Sequence, residues 1–375
     1  MQIHDKNYNE ALNKIQYFTK KYRDADKFIS KEVDFTHPIH YEERVGYFNN
    51  KTAKRLIIRL RSSGCSWVKK TGGCTMCGFY LATGHGKKVT SSQYKKQFNH
   101  ILEEVNLNDY KIIGIYNDGN FLNEGEITIN TIKDFCKILN SYDNIKLVNF
   151  ESRAEYLAID RVKKIKNFLK DKDLQISVGF ESINPEVVQL CINKGLYTLN
   201  FGKIFRDLQK IGVRVNPLLL FKPPFLTEKE SINDVLKTIY YLVSNGIHSA
   251  DLEIATVMKY TLLHELWKRK LYHTAMLWSV RELILQYKKI HGNKFNLYIS
   301  PWSYSVNTLD GPRNCGKCDK KIIDAINEYN KNYNPDSLKD INCSCIDIWK
   351  EKMKDTNKLS IPKRILNNLG KLENN

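Results

Sequence analysis

Apolar and polar positions follow two alternating patterns along most of the chain. Short runs rich in β-branched and aromatic residues predict strands. Between them, apolar residues recur at spacings of three and four, as a helix with one buried face requires. The predicted strands are Leu56–Leu60, Ile112–Tyr116, Lys146–Phe150, Gln175–Phe180, Arg214–Phe221 and Asp251–Thr256. Six strand-then-helix units in series predict an α/β fold, a partial or full (β/α) barrel with helices outside a parallel sheet.

The two ends of the chain depart from this alternation. Residues 1–50 are polar and predict an N-terminal helical extension, and residues 51–300 form the barrel core with a helical insert at 260–292. Residues 301–350 are rich in loop formers and clustered cysteines, which predicts a small zinc-binding module. Residues 351–375 are rich in Lys and Asn, so we expect a basic tail that is a loosely held helix or disordered.

Three cysteines, Cys65, Cys74 and Cys77, follow the first predicted strand on a glycine-rich loop. Three thiolates cannot fill a tetrahedral zinc site, but they can hold three irons of a 4Fe-4S cluster and leave the fourth iron open. An open iron can chelate S-adenosylmethionine, a cofactor that carries radical chemistry. The sequence therefore predicts a catalytic iron–sulfur site. A zinc knuckle that adds His85 is the alternative, and the position at a strand end argues against it.

Polar residues follow the next three predicted strands, at the edge where (β/α) folds place their active sites. Backbone carbonyls and side-chain oxygens after the second strand can bind an ammonium group. A carboxylate suits ribose hydroxyls, and a guanidinium suits a carboxylate. The predicted S-adenosylmethionine-binding residues are Asn117, Asp118, Gly119, Asn120, Glu151, Arg153 and Glu181. The alternative reading is that these residues form surface salt bridges.

A second group of cysteines combines a CxxC pair with a CxC pair and 24 residues between them. Its members are Cys315, Cys318, Cys343 and Cys345. Four thiolates form a closed set that fits structural zinc, and a second iron–sulfur cluster is the alternative. We expect this module to help bind RNA or to shield the barrel mouth. Cys136 and Cys191 lie on apolar stripes and are predicted to be core residues.

Charge points to the class of partner. The chain has 59 Lys+Arg against 41 Asp+Glu, a net charge of +18, which suggests a polyanion such as RNA, unless the proteome is generally lysine-rich. Candidate phosphate contacts are Lys69, Lys70, Lys87, Lys88, Lys95 and Lys96, although any one pair is more simply a solvated face. No apolar run reaches about 18 residues and no signal-peptide core is present, so we expect a cytoplasmic protein without a membrane partner.

Several of these motifs together carry a resemblance that covers about residues 40–350. They read CTMCGFY, YNDGNF, NFESRAEYL, VGFESINPEVVQLCINKGL, PLLLFKPPFLTEKE and LLHELWKRKLYHTAMLWSVREL. They resemble the radical S-adenosylmethionine lyase subunits of archaeosine synthases, which act on archaeal tRNA. The long gap between Cys65 and Cys74 also resembles the elongator-like branch of the radical S-adenosylmethionine superfamily. The resemblance implies a barrel of the radical S-adenosylmethionine type.

The resemblance also implies a reaction with two enzymes. A partner transferase adds lysine to a 7-cyano-7-deazaguanine base in the tRNA D-loop. The radical subunit then uses a 5′-deoxyadenosyl radical to cleave a carbon–nitrogen bond of the lysine adduct and leaves archaeosine. The implied partners are tRNA, the lysine-transferring subunit and an electron donor such as ferredoxin. Lys222 would contact the substrate, through the lysine carboxylate or a phosphate.

Two other functions remain open on the sequence. Another radical S-adenosylmethionine enzyme of tRNA modification, transferring a methylthio or acyl group, would share the cysteine triad and differ in its substrate. A zinc-containing RNA-binding protein without catalysis would hold zinc and no iron. Metal content separates the non-catalytic zinc protein from the radical enzymes. The modified nucleoside separates an archaeosine-forming enzyme from one that transfers a methylthio or acyl group.

Overall fold

The computed structural model describes residues 6–24, 33–49, 51–196, 198–302, 308–355 and 357–373. Its main sheet has eight strands in the spatial order β1 (His40–Phe48), β2 (Lys51–Arg59), β3 (Ile112–Tyr116), β4 (Leu147–Ser152), β5 (Asp173–Glu181), β6 (Arg214–Phe221), β7 (Ser249–Ile254) and β9 (Asn296–Ile299). Two short strands, β8 (Val257–Met258) and β10 (Thr308–Asp310), form a separate antiparallel pair.

The pairing of the strands confirms the predicted α/β fold. Neighbours from β2 to β7 pair in parallel, β9 pairs in parallel with β7, and β1 pairs antiparallel with β2. In the described residues β1 and β9 stand at opposite ends of this order and do not pair with each other. The sheet is therefore a curled partial barrel, and the parallel strands bring their carboxyl ends to one rim.

The helices lie mostly between successive strands. They are α1 (Lys6–Asp24), α2 (Ser66–Thr71), α3 (Ser91–Glu104), α4 (Ile129–Leu139), α5 (Ile159–Phe168), α6 (Phe201–Lys210), α7 (Glu228–Ser244), α8 (Leu262–Lys268), α9 (Leu277–His291), α10 (Asp319–Asn332), α11 (Asp336–Lys339), α12 (Ile346–Lys354) and α13 (Ile361–Glu373). None of these helices is long and apolar enough to cross a membrane.

The six predicted strands correspond to β2 through β7, and two strands of the main sheet were missed. β1 carries Glu42, Glu43 and Arg44 in its middle and stays largely half-exposed at the sheet edge, so it lacks an apolar signature. β9 has only four residues, too few for a periodic pattern. β1 lies within the segment predicted to be a helical extension, and its described part contains this strand as well as α1.

The C-terminal region is more ordered than its composition predicts. Residues 301–350 were expected to be rich in loops, but their described part holds α10, α11 and the start of α12. The tail was expected to be a loosely held helix or disordered, and it does form a helix. That helix, α13, is not loosely held, because it packs against α1 and buries Ile365, Leu369 and Leu372. Spacings of four and three put these side chains on one face, and the surrounding Lys and Asn residues hide that stripe in the composition.

Two apolar cores support the fold. The larger fills the space between the sheet and its helices and contains Cys136. The smaller lies among α1, α8, α13 and a π-helical turn, Val187–Cys191, and it contains Cys191. Both cysteines are fully buried, as predicted. Cys74 and its neighbour Met76 pack against the smaller core, which therefore supports the loop of the cysteine triad.

Candidate cluster and cofactor site

The cysteine triad lies just beyond the carboxyl end of β2. Cys65 precedes the first residue of α2, and Cys74 and Cys77 follow that helix. Within the described residues, the three sulfurs and His85 do not form a set of donor atoms within 4.8 Å of one another. The structure therefore does not support the alternative in which the three cysteines and His85 bind one zinc ion. In a four-iron cluster each cysteine binds its own iron, so separated sulfurs fit a cluster better than one metal ion.

The backbone of the triad loop is held by the segment that follows β5. The amide of Thr75 donates to the carbonyl of Ile192 at 3.0 Å, and its hydroxyl donates to the carbonyl of Cys191 at 2.6 Å. The side-chain amide of Asn193 donates to the carbonyl of Gly73 at 2.8 Å. These bonds fix the loop from outside, and none of them uses a cysteine sulfur.

Helix α1 closes over the same loop. Arg23 is 5 % exposed, and its guanidinium donates to the carbonyls of Cys77 and Gly72. A Cβ at position 72, where φ is +84°, would lie 2.6 Å from the backbone nitrogen of Lys20. Only glycine permits this close approach. Sequence reasoning missed Arg23 because it belongs to a polar N-terminal segment outside every recognised motif.

The electrostatics of the triad fit an anionic cluster. Burial raises the pKa of all three thiols, that of Cys77 to about 12. Buried thiols lose their protons readily only when a metal binds them. Lys194 and Arg153 oppose the rise of the pKa at Cys74, so fixed positive charge already stands beside it. Three thiol donors with nearby cations are a donor set that fits a 4Fe-4S cluster.

The loop after β3 lies against the triad, as predicted. Asn120 points its side-chain amide at the sulfur of Cys65, with nitrogen and sulfur 3.5 Å apart. The same amide donates to Glu126 at 2.9 Å, and the backbone amide of Ser66 donates to that carboxylate at 3.4 Å. A Cβ on Gly119 would lie 2.2 Å from Glu126 Oε2. Glu126 therefore joins the two loops, although no sequence motif marked it.

The remaining predicted residues of this loop connect to neighbouring strands. The amide of Asn117 donates to Glu151 Oε1 at 3.0 Å. Asp118 forms a buried ion pair with Arg59 of β2, with Oδ1 and Nη1 3.1 Å apart. Burial raises the pKa of Glu151 to about 7, and Arg59 opposes that rise. Arg59 was not predicted, because only the folded sheet brings it beside the loop after β3.

Arg153 and Glu181 meet at a residue that sequence reasoning did not assign. Glu181 forms a buried ion pair with Lys194, whose carbonyl accepts a hydrogen bond from Arg153 at 2.7 Å. The Arg153 guanidinium also lies 4.7 Å from the centroid of the Trp67 ring. The alternative of surface salt bridges does not hold for Glu181, because both partners are buried. Lys194 and Arg153 provide two cations beside Cys74.

Lys222 lies directly after β6, the strand that follows β5 in the sheet. It is 7 % exposed and has a φ of +58°. The hydroxyl of Tyr272 donates to its carbonyl at 2.9 Å, and its ammonium group lies 5.1 Å from the centroid of the Tyr272 ring. Burial lowers the pKa of this lysine. Its position at the carboxyl end of a parallel strand is the one expected for a substrate contact.

The cysteine quartet forms a second and differently built site. All four sulfurs lie within 4.8 Å of one another, and Cys315 is 3.9 Å from Cys318 and 3.7 Å from Cys343. Cys318 is 3.6 Å from Cys345. A regular tetrahedron with metal–sulfur bonds of ~2.3 Å has edges of about 3.8 Å. The sulfurs therefore fit a single tetrahedral ion, and they lie too close for four cysteines on four separate irons.

Two side-chain N–H groups point at the quartet. Trp278 Nε1 donates to the sulfur of Cys345 at 3.2 Å, and Asn314 Nδ2 donates to the sulfur of Cys318 at 3.4 Å. Such donors orient and stabilise thiolate ligands. The six exterior lysines predicted to hold phosphates are all exposed, and Lys95 forms an ion pair with Asp134 at 2.7 Å.

Comparison with known proteins bears on the predicted resemblance. No family model matches the chain. It is 28% identical to the archaeosine synthase subunit beta of Methanosarcina acetivorans, over 81% of this chain and 86% of that protein. It is 27% identical to the subunit of the same name from Thermococcus kodakarensis, over 80% of this chain and 91% of that one. The predicted resemblance is confirmed. An uncharacterized protein of Methanocaldococcus jannaschii is 29% identical over 96% of this chain and 97% of its own length.

Proposed function

We propose that this chain is a radical S-adenosylmethionine enzyme of tRNA modification, and that it cleaves a carbon–nitrogen bond of a lysine adduct on 7-cyano-7-deazaguanine to give archaeosine. The observation that carries the proposal is the cysteine triad, which lies against a buried polar network at the carboxyl ends of the strands. The similarity to two archaeosine synthase beta subunits supports the substrate class.

Cys65, Cys74 and Cys77 hold the 4Fe-4S cluster in this proposal. Buried thiols, separated sulfurs and two cations beside Cys74 support the assignment. The cluster and S-adenosylmethionine, when bound, supply the one-electron chemistry that removes a hydrogen atom from the substrate. The protein orients that substrate and excludes water from it, because a radical reacts with whatever group it meets.

Each predicted cofactor residue then has a distinct task. Glu151, whose pKa is raised to about 7 by burial, accepts hydrogen bonds from ribose hydroxyls. Arg153 binds the carboxylate of the methionyl group, and Glu181 orients Lys194 beside it. Residues 117–120, Asn117, Asp118, Gly119 and Asn120, provide carbonyl and amide oxygens for the ammonium group. Glu126 and Arg59 hold that loop in place.

Lys222 and the quartet complete the proposed assignments. Lys222 binds an anionic group of the substrate, since its ammonium is buried at the next strand end. Cys315, Cys318, Cys343 and Cys345 bind zinc, which the sulfur spacing favours. The lysine-transferring subunit supplies the adduct, and a ferredoxin-like protein supplies electrons. The target base leaves the tRNA stack to reach the barrel mouth.

The test begins with anaerobic purification and analysis of iron, sulfide and zinc. We expect about four irons and one zinc per chain, and a brown colour that dithionite bleaches. Incubation with S-adenosylmethionine, a reductant and tRNA that bears the lysine adduct should then yield archaeosine in nucleoside mass spectra. Zinc without iron after reconstitution contradicts the radical enzyme. A methylthio or acyl product identifies the other type of radical enzyme.

A further inference from the structure

Lys222 is a buried cation without an anionic partner in the described part of the chain. It is 7 % exposed, and the contact of its ammonium group is with the ring of Tyr272. No carboxylate of the described residues lies within 4.0 Å of it, although Glu228 is close enough to act on it electrostatically. Burial of an ammonium group is costly unless an anion pairs with it. Lys222 therefore lacks a paired anion, and an anionic group of a ligand can provide one.

The segment that contacts Lys222, residues 272–278, also contacts the four-cysteine module, residues 313–354. Tyr272 bonds the carbonyl of Lys222, and three residues further on the carbonyl of Ala275 accepts the amide of Arg313 at 3.1 Å. Trp278, at the start of α9, donates to the sulfur of Cys345. The module thus packs against residues 272–278, which contact Lys222, and one of these contacts is to a sulfur of the quartet.

This packing also brings further basic residues close to Lys222. His273, Arg313 and Lys352 are exposed, and Lys352 is close enough to act electrostatically on both Lys222 and His273. The acidic groups that face them are few. Asp310 pairs with Arg313 at 3.1 Å, and Glu228 is 3.4 Å from the amide of Met276. Glu230 is already paired with Arg364. Among the described residues, Lys222 and Lys352 are thus the cations of this group that no carboxylate pairs within 4.0 Å.

The three lysines of α12 differ in whether a carboxylate pairs with them. Lys350 pairs with Asp347 at 3.0 Å, and Lys354 pairs with Glu351 at 2.7 Å. Lys352 has no carboxylate within 4.0 Å in the described residues. Two lysines of the helix thus have a carboxylate partner on the same helix, and the third acts electrostatically on Lys222 without one.

We propose that Lys222, His273, Arg313 and Lys352 form a binding surface for the phosphate backbone of RNA, assembled by the four-cysteine module at the substrate mouth. This inference rests on the proposed function, because it takes tRNA as the substrate. These basic residues extend from a buried strand end to an exposed helix, which suits a phosphate strand better than one carboxylate. Cysteine ligation then acts on RNA binding through Arg313 and the placement of α12.

The experiment measures equilibrium binding of an unmodified tRNA transcript to the reconstituted protein at several salt concentrations. Lys352→Gln should weaken binding by roughly three- to tenfold, and it should reduce the slope of log affinity against log salt by about one phosphate contact. Lys350→Gln and Lys354→Gln are matched controls on the same helix, and they should change the affinity less than about twofold. Lys352→Gln behaving like these controls would overturn the proposal.

A second comparison separates the possible anions. If these basic residues bind only the carboxylate of the lysine adduct, Lys352→Gln leaves the affinity for unmodified tRNA unchanged. It then weakens only the binding of tRNA that bears the adduct, which contradicts a phosphate surface. Failure of archaeosine formation with an intact effect of Lys352→Gln on the salt slope refutes the proposed reaction and retains the RNA surface. Intact archaeosine formation without an effect of Lys352→Gln on the salt slope retains the proposed reaction and refutes the RNA surface.

Discussion

The cysteine triad and the cysteine quartet position their sulfurs by different means. In the quartet the sulfurs converge to separations of 3.6–3.9 Å along three edges, and side-chain N–H groups approach two of them. In the triad the sulfurs stay apart, and the bonds that hold the loop go to its backbone from Arg23, Ile192 and Asn193. The sulfurs of one site converge on a common centre, and the loop of the other is held by distant parts of the fold.

This difference teaches what each site depends on. The quartet links two segments, residues 315–318 and 343–345, so a bound ion is expected to stabilise the module that contains them. The triad loop is held by α1, by the segment after β5 and by Met258 of β8, whose sulfur accepts the amide of Gly78 at 3.3 Å. Its shape is therefore expected to survive loss of the cluster, and the quartet is not expected to survive loss of its ion.

Cys74→Ser should have the largest effect on chemistry and almost none on the fold. Loss of one of three cluster ligands should reduce reductive cleavage of S-adenosylmethionine by at least about 10³-fold, because no other residue can replace the thiolate. Zinc content and tRNA affinity should stay within about twofold of the parent. Product analysis for 5′-deoxyadenosine with metal analysis checks both. A variant with full cleavage activity would show that Cys74 is not a ligand.

Cys318→Ser should have the opposite profile. Removal of this buried ligand should release the zinc and destabilise the four-cysteine module by several kcal/mol. Iron content should remain near that of the parent immediately after purification. Thermal unfolding and metal analysis provide the measurement, and Cys136→Ser is the control for loss of a buried thiol that binds no metal. Simultaneous loss of iron and zinc would mean that the two sites are not independent.

Arg23→Ala tests whether α1 holds the triad loop. The variant loses the hydrogen bonds to the carbonyls of Cys77 and Gly72, so the cluster should lose iron several-fold faster under air, while zinc stays bound. Arg23→Lys should be intermediate. Lys20→Ala is the control, because that side chain is exposed on the same helix. The half-life of the visible cluster absorbance is the readout, and equal half-lives for all variants would remove Arg23 from a positioning role.

Glu151→Gln tests the carboxylate of the triad network through pH. The pKa of Glu151 is raised from 4.5 to about 7, so the native state holds a proton that the unfolded state has lost between these values. The unfolding free energy of the parent therefore falls as the pH rises through this window, by on the order of 3 kcal/mol from this group. Glu151→Gln should remove that part of the fall.

Denaturant unfolding of the metal-free protein between pH 5 and pH 8 measures this effect. Asp234→Asn is the control, because burial raises the pKa of Asp234 to only about 6, and its part of the fall ends near that pH. Above pH 6 the unfolding free energy of Asp234→Asn should change with pH in parallel with that of the parent. The unfolding free energy of Glu151→Gln should instead rise relative to that of the parent until about pH 7. Parallel curves for all three proteins would contradict the raised pKa of Glu151.

Much of this architecture could be predicted because it depends on patterns of residues that are close together in the sequence. Strands β2 to β7 carry apolar runs, and the polar groups at their ends follow directly in the chain, so the placement of Asn120 beside Cys65 was accessible from the sequence. The quartet was accessible because its two cysteine pairs have a recognisable spacing. Local signals of this kind locate the edge of the sheet where the proposed chemistry takes place.

The residues that support this edge could not be found in the same way. Arg23, Arg59, Glu126 and Lys194 act on partners that only the folded chain brings near them. A single arginine or glutamate has no periodic signal, and its role depends on which backbone carbonyl or charge it meets. The stripe of α13 was missed because its Lys- and Asn-rich setting indicated disorder.

The packing of α1 against α13 also sets an order of events in the cell. These are the first and last helices of the described chain, and Lys14 of α1 pairs with Glu373 of α13 at 2.8 Å. At about 5–20 residues per second, a ribosome makes α13 roughly 20 to 70 s after α1. The outer support of the triad loop is therefore incomplete while the rest of the sheet is already made. We expect iron delivery to follow the synthesis of α13.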